Sequence, residues 1–110
     1  MMKFFSALLI LLVVSARLSA AEKDITFEKQ VRPILKAHCF ECHGEGAKLK
    51  GNLDLRLKRL LTDGGKSGPA IVPGDVKKSL LIERVRSEEM PPGKRKLTRD
   101  EISVLERWIA

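Results

Sequence analysis

Two cysteines and a histidine carry the chemistry that is easiest to read from this chain. Cys39, Cys42 and His43 stand in the run Cys39-Phe40-Glu41-Cys42-His43, and there is no other cysteine. A disulfide across two residues would close so short a loop that it removes little unfolded-state entropy. A thiol–disulfide exchanger sets Cys-x-x-Cys at a helix N-terminus in a βαβ context, whereas here the pair ends a helical pattern. A zinc site needs about four ligands, and His38, Cys39, Cys42 and His43 are all the Cys and His available, packed into one short cluster. The remaining chemistry is covalent haem, for which C-x-x-C-H is the attachment signature. Each thiol adds to one of two neighbouring vinyl groups on the porphyrin edge. Two intervening residues in a short helical segment place both sulfurs along that edge, and the next residue, His43, turns its imidazole to the iron from the same side.

The start of the chain supports that chemistry. Met1 to Ala21 has a positive start at Lys3, an apolar run from Phe4 to Val14 and a small-residue exit, Ser19-Ala20-Ala21. This is the pattern of a cleaved secretory signal. The apolar run is shorter than the ~20 residues that span a bilayer, so no permanent membrane span is expected. Cleavage after Ala21 leaves 89 residues, Glu22 to Ala110, as a single domain. Haem is attached to exported chains on the outer side of the membrane, and a periplasmic location is expected.

An electron-carrying haem iron needs a sixth ligand. Outside the attachment motif and the signal there is one methionine, Met90, and no histidine except His38. His38 adjoins Cys39 on the proximal side and cannot reach round the porphyrin. Met90 lies 47 residues after His43, between a helical pattern and the pair Pro91-Pro92. The prolines restrict the loop, so a thioether there can be held toward iron. Met90 is the expected distal ligand and His43 the proximal one.

The rest of the chain must position these residues. The 110 residues carry 21 basic and 14 acidic side chains, a formal net charge of +7, with 44% hydrophobic residues, no Tyr and one Trp. Loss of Lys3 and Arg17 with the signal leaves +5. That length excludes a second domain, and so small a domain needs a staple or cofactor to complete its core. No nucleophile–base pair or substrate pocket is visible, so an enzyme is not expected. Nucleic acid is not an expected partner of an exported haem protein.

The predicted elements are helices. Asp24 to His38 reads as one, with Thr26 as N-cap and Glu28 in its first turn. Phe27, Val31, Ile34 and Leu35 make one apolar stripe. Pro33 inside the pattern predicts a kink or two short pieces. Gly44 to Gly68 is loop-rich, with a short helical run through Leu57, Leu60 and Leu61; Leu53 and Leu55 suggest extended chain rather than a true strand. Gly68 to Gly74 is a rigid connector. Asp75 is expected to cap a helix over Lys77–Arg86, which cannot extend past Met90. Thr98-Arg99-Asp100-Glu101 is a capping box, and Ile102, Leu105, Trp108 and Ile109 form the apolar face of the last helix.

Taken together, these stretches resemble a class I cytochrome c, and more narrowly the planctomycete-type cytochrome c domain. The resemblance rests on Phe27 to Leu35, Cys39 to Gly44, Gly64-Gly65, Gly68 to Gly74, Ser79-Leu80-Leu81, Met90-Pro91-Pro92, Leu97-Thr98 and Trp108-Ile109. It implies an all-α fold in which the N- and C-terminal helices cross around one covalent haem c and its iron, with Phe27 near Trp108. It implies thioethers at Cys39 and Cys42, axial ligands at His43 and Met90, and a carbonyl at Pro69 for the other nitrogen of His43. Glu45 to Lys66 is long for a small cytochrome. Such domains commonly open much longer proteins, so the chain is either a free-standing carrier or an N-terminal piece.

The function these features imply is single-electron transfer by a mono-haem protein. Its partner would be a redox donor or acceptor, with an acidic surface if Lys94, Arg95 and Lys96 surround the haem edge; a solvated lysine-rich loop is the plainer reading of those three. The alternatives are a haem-based sensor, in which Met90 dissociates to admit a small ligand, and an interaction module whose haem is structural.

Overall fold

A computed structural model describes residues 24–110. The expected signal, Met1 to Ala21, lies outside the described residues. Within them every regular element is helical.

The chain enters through a π-helical turn, Phe27–Val31, and continues as α1, Arg32–His38. The two pieces are the break predicted at Pro33. Proline lacks the N–H that would bond one turn back, and its ring crowds that carbonyl. The wider turn just upstream, with Val31 N–H donating to Thr26 O, accommodates it. Thr26 caps the start: its hydroxyl accepts from the Lys29 N–H at 3.3 Å, and Gln30 Oε1 accepts the Thr26 N–H at 2.7 Å.

After Cys39 the chain forms α2, Phe40–His43, then a 3-10 turn at Lys50–Asn52 and α3, Lys58–Asp63. Leu53 and Leu55 lie in extended chain between the last two. Gly64 ends α3 at φ 72°, where a Cβ would fall 2.0 Å from the Gly68 carbonyl oxygen. Only glycine fits there, and the tight return toward Ala70 depends on it.

The helix expected over Lys77–Arg86 begins later. It is α4, Leu80–Arg86, with Ser79 as its N-cap residue. Asp75 caps a separate turn, accepting the Lys78 N–H at 3.0 Å. Buried Ser79 fixes that turn to the connector: its hydroxyl donates to Asp75 O at 2.8 Å and accepts from the Val72 N–H at 3.0 Å. These bonds use the groups a longer helix would need.

The last helix, α5, covers Arg99–Ile109 and opens on the predicted capping box. Glu101 N–H donates to Thr98 Oγ1 at 3.2 Å, and Thr98 N–H donates to Glu101 Oε1 at 3.0 Å. The buried core joins Val31 and Leu35, Phe40, Leu61, Ile82 and Leu105. Phe27 meets Trp108 with ring centroids 5.5 Å apart at 39°, a tilted aromatic pair that ties the first element to the last.

Candidate functional site

The local fold of the cysteine run follows from hydrogen bonds at its two ends. Cys39 N–H donates to Leu35 O at 2.7 Å, which ends α1, and His43 N–H donates to Cys39 O at 2.9 Å, which starts α2. Both cysteines therefore lie on one short helical segment and are half-buried. Phe40, between them, is fully buried and anchors the segment in the core.

Beside this segment opens a cavity of about 540 Å3, within the range of about 300–1,000 Å3 typical of small-molecule and cofactor sites. Cys39, Cys42 and His43 line it, and so do Met90, Pro91 and Pro92. The structure thus brings the motif and the methionine loop to one cavity. The rest of the wall is mainly apolar, with Leu53, Leu55, Ala70, Leu81 and Val85. Lys50, Lys66 and Arg84 add positive charge to the lining. Met90 is 41% exposed, and its N–H donates to Arg84 O at 3.2 Å.

The partner of His43 corrects the expectation for Pro69. His43 Nδ1 lies 2.9 Å from the carbonyl oxygen of Lys50. For that bond Nδ1 must carry the proton, which leaves Nε2 with a free lone pair. The reason is local. After α2 the chain turns back through Leu55 N–H bonded to His43 O, 2.8 Å, and this sets the Lys50–Asn52 turn against the ring. The turn is held in place by left-handed residues, Gly51 at φ 65° and Asn52 at φ 54°, and by Lys66 N–H bonded to Gly51 O at 2.8 Å. Pro69 is exposed and does not line the cavity, although Gly68 and Ala70 on either side of it do. A backbone carbonyl leaves no mark in sequence, but Gly51-Asn52 is a recognisable turn signal.

His38 also lines the cavity, with its side chain only 4% exposed. Its Nε2 sits 3.0 Å from Glu101 Oε2. Among the described residues no three Cys, His, Asp or Glu side chains gather to hold a metal ion.

The electrostatics separate the remaining thiol chemistries. Burial, reinforced by Cys42 and Glu101, pushes the Cys39 thiol up to about 12. Thiol exchange needs a readily formed thiolate, and this environment does the reverse. Two thiols, an imidazole with a free Nε2 lone pair and a thioether around a mainly apolar cavity are a donor set that fits covalent haem.

Among the described residues no helix is long and apolar enough to cross a membrane. Comparison with curated proteins and with solved structures finds no match. A family model does match, over residues 39–94, from the first cysteine to just beyond the Pro91-Pro92 pair. That stretch is half of the chain and contains Cys39, Cys42, His43 and Met90, which makes this protein a member of the planctomycete cytochrome C family.

Proposed function

We propose that the protein is a periplasmic mono-haem cytochrome that carries one electron at a time. Family membership implies covalent haem c with its iron, and two cysteines are present for it. In this reading Cys39 and Cys42 hold the haem by thioethers, His43 is the proximal ligand and Met90 the distal one. The observation that supports it is the meeting of Cys39, Cys42 and His43 with Met90 around one cavity, although 47 residues separate His43 from Met90.

Bound haem iron supplies the redox couple, and the axial ligands the protein offers tune it; a His/Met pair raises the potential relative to other pairs. The chain's own residues do the rest. The Lys50 carbonyl holds the His43 proton at Nδ1 and raises the basicity of Nε2. Leu53, Leu55, Ala70, Leu81 and Val85 supply the apolar wall against which a haem would pack. In this reading the N- and C-terminal helices cross where Phe27 meets Trp108. Lys50 and Lys66 line the cavity and add positive charge to it, which suits a redox partner with an acidic surface. The protein is a carrier in this reading, with no catalytic residues.

The rival reading is a haem-based sensor, in which Met90 dissociates to admit a small ligand. Absorption spectra of the exported protein, oxidised and reduced, with and without carbon monoxide, test the proposal. A carrier gives a thioether-linked haem whose ferrous form is unchanged by carbon monoxide. Rapid carbon monoxide binding to the wild-type ferrous form would support the sensor, and a haem-free exported protein would refute both.

A further inference from the structure

The segment Glu88–Gly93 has no regular secondary structure, yet it carries Met90. Three contacts hold it. Met90 N–H donates to Arg84 O at 3.2 Å. The Arg84 guanidinium pairs with the Glu89 carboxylate. The Lys96 ammonium donates to the Glu88 carbonyl at 2.8 Å and also to the Pro91 carbonyl.

The third contact is unusual for a lysine in a basic run. Lys94 and Arg95 are exposed, while Lys96 is half-buried. Lys96 makes no ion pair with a carboxylate among the described residues; its charge is met by main-chain carbonyls on both sides of Met90. Glu88 is held at φ 62°, a conformation that a non-glycine residue keeps only when its surroundings enforce it. An ammonium offers three donors, and hydrogen bonds to a charged group are stronger than neutral ones. Lys96 thus closes the loop from Glu88 to Pro91 across the methionine.

We propose that Lys96 is a positioning residue for Met90. Its ammonium fixes the two ends of the loop and so holds the thioether toward the cavity, setting how readily the sixth position opens. This rests on Met90 being the distal ligand, as proposed above. It also removes Lys96 from the positive patch and gives it a separate task from its neighbours Lys94 and Arg95.

The test uses the exported holoprotein in five forms: wild type, Lys96→Gln, Lys96→Arg, Met90→Ala and Lys77→Gln. Lys77 is exposed and distant in sequence, so its loss controls for charge alone. Lys96→Gln should bind carbon monoxide in the ferrous state where wild type does not, since the charge-assisted bonds that hold the loop are lost. Its potential should fall, while its helical circular dichroism stays. Lys96→Arg should restore part of both, and Lys77→Gln should match wild type. If Met90→Ala opens the iron to carbon monoxide but Lys96→Gln does not, the positioning role is wrong and the distal assignment stands. If Met90→Ala changes nothing, both fall. Should Lys96→Gln fail to fold, amine labelling of the wild-type holoprotein decides. Slow labelling of Lys96 relative to Lys94 supports the clamp, and equal rates overturn it.

Discussion

The imidazole of His38 meets the carboxylate of Glu101 at 3.0 Å, joining the residue before the first motif cysteine to the first turn of α5. The same carboxylate accepts the Thr98 N–H through its other oxygen, at 3.0 Å. One side chain therefore caps α5 and ties it to the haem-attachment segment, so the site and the C-terminal helix are mechanically linked.

Burial would raise the Glu101 carboxyl, but the Thr98 amide and then His38 outweigh it and hold it below the ordinary carboxylate value. A carboxyl lowered on folding stabilises the protein above its unfolded value, and that contribution is lost as pH falls through the folded value. Glu101→Gln should cost about 1 kcal/mol at neutral pH, allowing for solvent screening. It should also flatten the loss of stability on acidification below the carboxylate range. Chemical unfolding at a series of pH values checks this; parallel curves for the two proteins would show that Glu101 does not contribute.

Gly65 controls the partner of His43. A Cβ there would lie 2.4 Å from the Gly51 carbonyl oxygen, in the turn that brings Lys50 to the imidazole. Gly65→Ala should cost ~1–3 kcal/mol by overpacking and pull the Lys50 carbonyl from Nδ1. A less basic imidazole favours ferric iron less, so the potential should rise. Potentiometry of the variant reads this directly, and an unchanged potential with lowered stability would mean that the carbonyl does not tune the ligand.

The parts legible in sequence were those fixed by short-range chemistry. The capping box at Thr98 and Glu101 needs only the four residues it spans, and Pro33 announces the break before α1 by its missing donor. The Phe27–Trp108 contact came from the resemblance, and the apolar periodicity of both helices agrees with it. The start of α4 was misread because Asp75 is an equally good cap for a turn, and the deciding group, buried Ser79, acts through tertiary bonds. The His43 partner escaped because a carbonyl carries no residue label. Lys96 escaped because its neighbours Lys94 and Arg95 are solvated, and identity alone does not distinguish the three.

The cavity leads to an expectation about folding. With neither cysteine the chain would have to keep an apolar void of about 540 Å3 or collapse, and voids of that kind are costly in proportion to volume. Cys39→Ala combined with Cys42→Ala should leave an exported chain that is largely unfolded. Circular dichroism checks it; a haem-free double variant with the helicity and cooperative melting of wild type would show that the polypeptide completes its own core.

The central claim, a His43/Met90 carrier, is tested most directly by potentiometric titration of wild type, Met90→Ala and Met90→His, with carbon monoxide added to each ferrous form. Thioether sulfur favours ferrous iron, so Met90→Ala should lower the potential and admit carbon monoxide while the helices remain. Met90→His should restore six-coordination at a low potential, since imidazole favours the ferric state more than thioether does. If Met90→Ala keeps the wild-type potential and the wild-type response to carbon monoxide, Met90 is not the distal ligand and the carrier reading loses its support.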